Sequence, residues 1–274
     1  MPPPEKLAVT THKKADAATT LRASEIAARL GVTFEARRGR SLARLQREAA
    51  ASMLYVLQLE RDEIVDGEQI LFTNPGRYTL KILDGAAHPL VRAAAPPGAA
   101  PVDRVIDATL GMAGDALHLA GALNAQIDGF EASAPLAELL REGLARMTAA
   151  RRKWAAAAAR VRVQAGDAAD LLAAMPPASA PVVLLDPMFD RPLGAPPAFD
   201  LLRRLARSEP LDLSLLDAAC RVATRRVVLK IPGASPVPRL PGQREHFNRR
   251  VRGQAVDYLI IERELPPDGS MSQP

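Results

Sequence analysis

The alternation of apolar and polar positions divides this chain into two regimes. In the first ninety residues, short apolar runs mix with stretches of helical spacing. Leu7–Thr10, Val32–Ala36 and Met53–Leu59 read as strands, and Glu63–Phe72 and Tyr78–Leu83 as further strands around the Asn74-Pro75-Gly76 turn. Asp16 is placed to cap a helix reaching about Leu30, with Leu21, Ile26, Ala27 and Leu30 on one face and Gly31 just past its end. Ser41 caps a second helix with Leu42 and Leu45 inside. Then Ala93–Pro101, AAAPPGAAP, interrupts all periodicity; small residues with three prolines predict a connector.

Beyond it, strands and helices alternate strictly. Strands are predicted at Arg104–Asp107, Ala125–Glu131, Val161–Gln164, Val182–Asp186, Arg226–Lys230 and Ala255–Glu262. Helices are predicted at Gly114–Leu123, from Pro135 toward Thr148, around Ala155–Ala159, at Ala168–Met175 and at Leu211–Thr224. Such alternation specifies an α/β domain, a Rossmann-like parallel sheet with helices on both faces. The last two strands, joined by a Pro- and Arg-rich excursion, would close it with an antiparallel edge. The expected organisation is a small α/β domain at 1–92, a linker at 93–101, a larger domain at 102–264 and a disordered tail at 265–274. Met1–Pro4 is read as a disordered tip.

Composition narrows the picture. The 274 residues are 48% apolar, enough for a well-buried core. Cys220 is the single cysteine and His12, His88, His118 and His246 are scattered, so neither an intrachain disulfide nor a metal site is expected. No apolar run approaches membrane-spanning length, and MPPPEKLAVTTHKK lacks the apolar core of a signal peptide, which predicts a soluble cytoplasmic protein. The net charge of +5 permits an acidic partner such as nucleic acid. Basic clusters at Arg146–Lys153, Arg160–Arg162, Arg221–Arg226 and Arg239–Arg252, with Arg77 and Lys81, could track a phosphate backbone; equally, they could be solvated faces.

Candidate chemistry gathers at strand ends. The buried strand Val182–Leu185 runs into Asp186, Pro187, Met188 and Phe189. Ligands of open α/β sheets bind beyond the carboxyl ends of strands. There, Asp186 can accept a hydrogen bond from an amine, Pro187 fixes the bend, and Phe189 offers a ring on which a base can stack. The alternative is an ordinary turn with Met188 and Phe189 in the core. Upstream, VIDATLGMAGD at Val105–Asp115 ends a strand on Asp107 and enters a helix through Gly111 and Gly114. The spacing is not G-x-G-x-x-G, and Asp115 sits where a pyrophosphate would want no negative charge. A carboxylate there suits an ammonium or sulfonium, or merely complements the helix dipole.

Glu131 ends the next strand, 24 residues after Asp107, the offset of an acid that holds ribose hydroxyls. Asp167, after the third strand, could receive an adenine amino group, cap the helix beginning near Ala168, or do both. Four successive strands ending near an acid (Asp107, Glu131, Asp167, Asp186) predict a cofactor with a ribose, an adenine and a positive centre. S-adenosylmethionine fits this better than NAD or ATP. Lys230, at the end of a buried strand, is expected to face the same crevice and touch substrate or phosphate.

These segments resemble the class I S-adenosylmethionine-dependent methyltransferases. Within that family, LDPMF at Leu185–Phe189 and the D-A-T-x-G opening at Asp107 are similar to the bacterial small-subunit ribosomal RNA guanine-N2 methyltransferases, as is RVVLK at Arg226–Lys230. LAVTT, SLARLQ and FTNPGRYTLKIL resemble a branch with an added N-terminal domain. The resemblance implies that Gly111, Gly114 and Asp115 hold the methionine end of the cofactor and Glu131 the ribose. It places Asp167 and Ala168 beside the adenine and Asp186 between cofactor and target amine. The loop reads GMAGD where those enzymes commonly have glycine and arginine at positions 113 and 114, and DRPLGAPP at Asp190–Pro197 lacks their lysine-rich continuation. The implied activity is methylation of an exocyclic nucleobase amine in RNA, with rRNA as the partner and no metal. A protein or small-molecule substrate, or a non-catalytic cofactor-binding module, are the alternatives.

Overall fold

Backbone pairing gathers the strands into two sheets in a computed structural model that describes residues 6–74, 85–150, 152–187, 198–206 and 211–263. The first has the order β2-β1-β3-β4-β5, built from β1 (Leu7–Thr11), β2 (Thr33–Phe34), β3 (Met53–Leu57), β4 (Asp62–Asp66) and β5 (Gln69–Leu71). β1 is parallel to β2 and β3, whereas β3, β4 and β5 run antiparallel. The expected strand over Glu63–Phe72 is in fact a hairpin. Asp66 pairs with Gln69, and Gly67 at φ 56° takes the left-handed turn that a side chain would resist. Tyr78–Leu83, Met1–Pro4 and Leu265–Pro274 lie outside the described residues.

Helix α1 (Ala17–Leu30) starts where the Asp16 carboxylate accepts the Thr19 N–H at 2.8 Å, and stops at Gly31, φ 64°. Its buried stripe is Ala23, Ile26 and Ala27, with Leu30 packed beside it. Leu21, expected on that face, is 62% exposed, because it lies two residues before Ala23 and points to the other side of the helix. Helix α2 (Leu42–Glu48), capped by Ser41, covers the opposite face of the sheet, where Leu45 packs with Ala8, Leu54 and Val56.

The second sheet has the order β11-β12-β10-β9-β6-β7-β8. Its strands are β6 (Arg104–Asp107), β7 (Gln126–Glu131), β8 (Val161–Ala165), β9 (Ala180–Leu185), β10 (Ala223–Pro232), β11 (Arg249–Arg252) and β12 (Val256–Glu262). β8 through β10 are mutually parallel. The closing edge is antiparallel, as its spacing implied, but it contains two strands: the Arg-rich excursion supplies β11, which pairs outside β12. Helices α4 (Gly114–Leu123), α5 (Ala134–Ala149) and the single turn α6 (Ala155–Ala158) cover one face, and α7 (Ala168–Ala174) and α9 (Leu213–Val222) the other. The chain builds outward from β6 to β8, then crosses back to β9 on the far side of β6. That reversal opens a crevice between the carboxyl ends of β6 and β9.

Helix α3 (Pro89–Ala94) takes the first two residues of the expected linker: Ala93 and Ala94 are buried, and the Ala93 carbonyl accepts the Arg226 guanidinium. Apolar residues from both sheets belong to one continuous core. Across it, β4 and α1 pack on α5, and helix α8 (Ala198–Leu205) packs on β5. A buried ionic knot reinforces the seam. Asp62 accepts from Tyr55 Oη at 3.1 Å, from Arg146 at 3.4 Å and from Arg22, which also holds Glu142 at 2.6 Å. Arg29 of α1 pairs with the buried Glu138 of α5. Gly143 of α5 meets Thr73 so closely that a Cβ would collide with the threonine side chain.

Candidate active site

Strand β6 ends on Asp107, which is buried and accepts the Thr109 N–H at 3.2 Å. The loop behind it is stitched to both neighbouring strands. Ala108 donates to Leu184 O at 3.0 Å, Leu110 donates to Phe130 O at 2.9 Å, and Thr109 Oγ1 accepts the Asp186 N–H. Gly129 of β7 makes room for Leu110, whose side chain would lie 2.6 Å from an added Cβ. Gly111, at φ 52°, turns its N–H onto Glu131 Oε2 at 3.1 Å. Ala113 takes φ 58° just before α4 and offers no side-chain cap. A glycine at this position would adopt that conformation without strain. Gly114 opens α4, and Asp115 stands in its first turn, 8% exposed.

Glu131, at the end of β7, also accepts the Ser133 N–H at 2.8 Å. Burial pushes its carboxyl up to about 7, against the stabilising effect of these two backbone donors. Asp107 is pushed up to about 8, first by burial and then by repulsion from Asp115. At the end of β8, the Asp167 carboxylate accepts from Ala169 at 2.9 Å and Asp170 at 3.2 Å, so it caps α7; Ala168 packs behind it. The neighbouring Gly166 donates to Glu131 O at 3.0 Å, which brings Asp167 alongside Glu131.

Asp186 follows β9, and Pro187 behind it is buried. Met188, Phe189 and the Asp190–Pro197 segment lie outside the described residues. The parallel register pairs Leu229 with Leu185, which sets Lys230 beside Asp186 at the next position. Lys230 Nζ donates to Asp186 Oδ2 at 2.6 Å and to Asp115 Oδ2 at 2.7 Å. Burial alone would lower the lysine, but the two carboxylates outweigh it and hold it above its ordinary value. Lys230 thus faces the crevice as expected, although its partners are carboxylates of this chain.

Tyr258 escaped the sequence reading. It lies directly across from Lys230 in the β10–β12 pair, buried, and burial together with the Asp115 charge raises its hydroxyl above the ordinary tyrosine range. Only the strand register reveals it, because nothing in VDYLIIE says which residue of β10 it opposes.

Asp107, Gly111, Gly114, Asp115, Asp186 and Lys230 therefore meet at the mouth of the β6–β9 crevice, with Glu131 and Asp167 one and two strands away. This donor set is acidic and has a glycine-lined approach. It fits a ligand with hydroxyls and positive charge and opposes a pyrophosphate. No group of three His, Cys, Asp or Glu that could hold a metal occurs among the described residues. No described helix is long and apolar enough to cross a membrane.

Fold and site together define a Rossmann-like α/β enzyme with a site for a cationic nucleoside cofactor. The family model described as "Putative SAM-dependent methyltransferase" matches residues 73–257, and the chain belongs to that family of S-adenosylmethionine-dependent methyltransferases. Among curated proteins, the chain is 29% identical over 234 residues to the uncharacterized protein YpiP of Bacillus subtilis, covering 83% of this chain and 90% of that one. It is 39% identical over 146 residues to ribosomal RNA small subunit methyltransferase J of Pseudomonas paraeruginosa, covering 52% of this chain and 54% of that one. The chain thus spans about half the length of that relative. A solved S-adenosylmethionine-dependent methyltransferase from Neisseria gonorrhoeae shares the fold at a TM-score of 0.66 and 18% identity, covering 97% of this chain and all of the other.

Proposed function

We propose that this methyltransferase acts on an exocyclic amine of a nucleobase in RNA, with guanine N2 of ribosomal RNA as its target. One observation carries the reading. Of the three carboxylates at the mouth of the crevice, Asp107 and Asp115 are buried, whereas the Asp186 side chain is 31% exposed and open to a group arriving from solvent. The name of the Pseudomonas relative supports RNA as the substrate.

The residues divide the work. Asp115 and the Gly111–Gly114 loop would hold the methionine end of the cofactor, Glu131 the ribose, and Asp167 with Ala168 the adenine. When bound, S-adenosylmethionine supplies a methyl group already activated on sulfur. Asp186 then has only to accept a hydrogen bond from the amine and hold its lone pair in line. Lys230 fixes one oxygen of Asp186. The proton lost by the amine passes to Asp186 or to water after transfer.

Modified nucleosides of rRNA and tRNA from wild-type and deletion strains should differ by one methylated guanine. RNA from the deletion strain then serves as substrate for tritiated methyl transfer. Asp186→Ala should cut single-turnover transfer by orders of magnitude at saturating cofactor. Near wild-type transfer by that variant would remove Asp186 from the role.

A further inference from the structure

The ammonium of Lys230 joins two carboxylates from different elements: Asp115 in the first turn of α4 and Asp186 at the end of β9. Asp115 is the inner partner, its side chain 9% exposed against 31% for Asp186. The lysine is no surface ion pair. Its own side chain is 17% exposed, and its place is fixed by the β9–β10 register and by Tyr258 across the β12 pairing. Its charge also has a task among the neighbouring carboxylates. Asp107, Asp115 and Asp186 crowd one crevice, and the latter two both repel the Asp107 carboxylate. A protonated amine among them offsets that repulsion.

Asp115 therefore already carries a primary ammonium at hydrogen-bonding distance. The methionine end of S-adenosylmethionine brings a second ammonium of the same charge and donor chemistry. We propose that Lys230 is an internal stand-in for the cofactor's ammonium. It keeps Asp115 paired while the site is empty, yields Asp115 on loading, and then rests on Asp186 alone. Loading of the cofactor pocket thereby changes the contacts of the carboxylate that positions the amine. This inference rests on the reading that Asp115 receives the methionine end.

Calorimetry on the 274-residue chain separates the two ideas with two ligands. S-adenosylhomocysteine carries the ammonium, whereas 5′-methylthioadenosine keeps the adenosine and thioether but lacks the amino-acid end. Asp115→Asn should weaken S-adenosylhomocysteine roughly tenfold or more and leave 5′-methylthioadenosine unchanged. Lys230→Met should tighten S-adenosylhomocysteine roughly threefold or more, again without changing 5′-methylthioadenosine, because no resident cation has to be displaced. Lys230→Gln gives the same readout should the Met variant not fold. If S-adenosylhomocysteine binding is unchanged or weaker in the lysine variants while Asp115→Asn behaves as expected, the stand-in is overturned and the placement of the methionine end survives. Equal loss of both ligands would make Lys230 a structural residue and overturn it as well. If Asp115→Asn leaves S-adenosylhomocysteine unaffected, the placement itself fails, and the inference with it.

Discussion

At the scale of single residues, the site is dominated by carboxylates held away from water. Glu131 accepts from Gly111 and Ser133 and, in its proposed role, would accept from a ribose as well, yet burial raises it to about 7. Cofactor affinity should therefore fall as pH drops through 7, and binding near pH 7 should release a proton. Glu131→Gln should abolish both effects; isothermal titration in buffers of different ionisation enthalpy reads them directly. Asp107 is shifted in the same direction, but its effect on stability runs with pH the other way. Its folded value of about 8 lies above its ordinary 3.8, so its contribution is fully present below 3.8 and is lost as pH rises through 8. Chemical denaturation of the cofactor-free protein should show Asp107→Asn losing less stability than wild type between pH 5 and pH 9, by on the order of a few kcal/mol.

At the scale of elements, close approach matters more than propensity. Gly143 lies within α5, where glycine costs about 1 kcal/mol relative to alanine, so a surface position would favour Gly143→Ala. Here the added methyl would run into Thr73, on the segment that follows β5. The variant should lose roughly 1–3 kcal/mol in urea denaturation instead of gaining stability. Gly143→Ala combined with Thr73→Ser should recover part of the loss, which ties the effect to this contact.

At the scale of the whole molecule, much of the basic charge among the described residues is spent on structure. Arg221 donates to the carbonyls of Leu172, Ala173 and Met175 and so closes the end of α7. Arg225 holds Ala100 and Pro101 O, and Arg250 grips Asp257 with two nitrogens at 2.6 and 2.9 Å. Arg239, Arg244 and Arg252 are exposed, and their side chains have no ion-pair or hydrogen-bond partner among the described residues. Arg252 closes β11 at the crevice end of the sheet, opposite Asp257. The 239–244 segment is anchored there too, because Gly242 lies against Leu213 at the start of α9. Replacing these three arginines by alanine should lower the slope of log affinity for RNA against log salt by about 2, near 0.7 per lost contact. Arg221→Ala should instead lower stability and leave the slope alone. Filter binding across salt, with thermal melts, separates the two.

Much of this was legible in the chain. Strand–helix alternation after Pro101 determined the larger sheet, because a parallel strand buried on both faces must be apolar throughout and must be followed by a crossover. The acids Asp107, Glu131, Asp167 and Asp186 were visible because strand ends are marked by the switch from apolar to polar residues. The caps at Asp16, Ser41 and Asp167 follow local rules that need no tertiary contact. Other features depended on pairing between distant segments. Sequence periodicity does not encode register, so it could not set Lys230 beside Asp186 or Tyr258 across from Lys230. Nor could it show that the arginines of the basic clusters grip carbonyls and acids far along the chain. The hairpin inside Glu63–Phe72, the second edge strand β11 and the buried start of the presumed linker were missed for the same reason. A strand's partner, and the burial of a small residue such as Ala93, are decided by what the rest of the fold packs against them. The sequence by itself thus determined which elements form and which chemical groups stand at their ends. Only the tertiary structure decided which of those groups touch, because contacts between distant segments are set by sheet order and register.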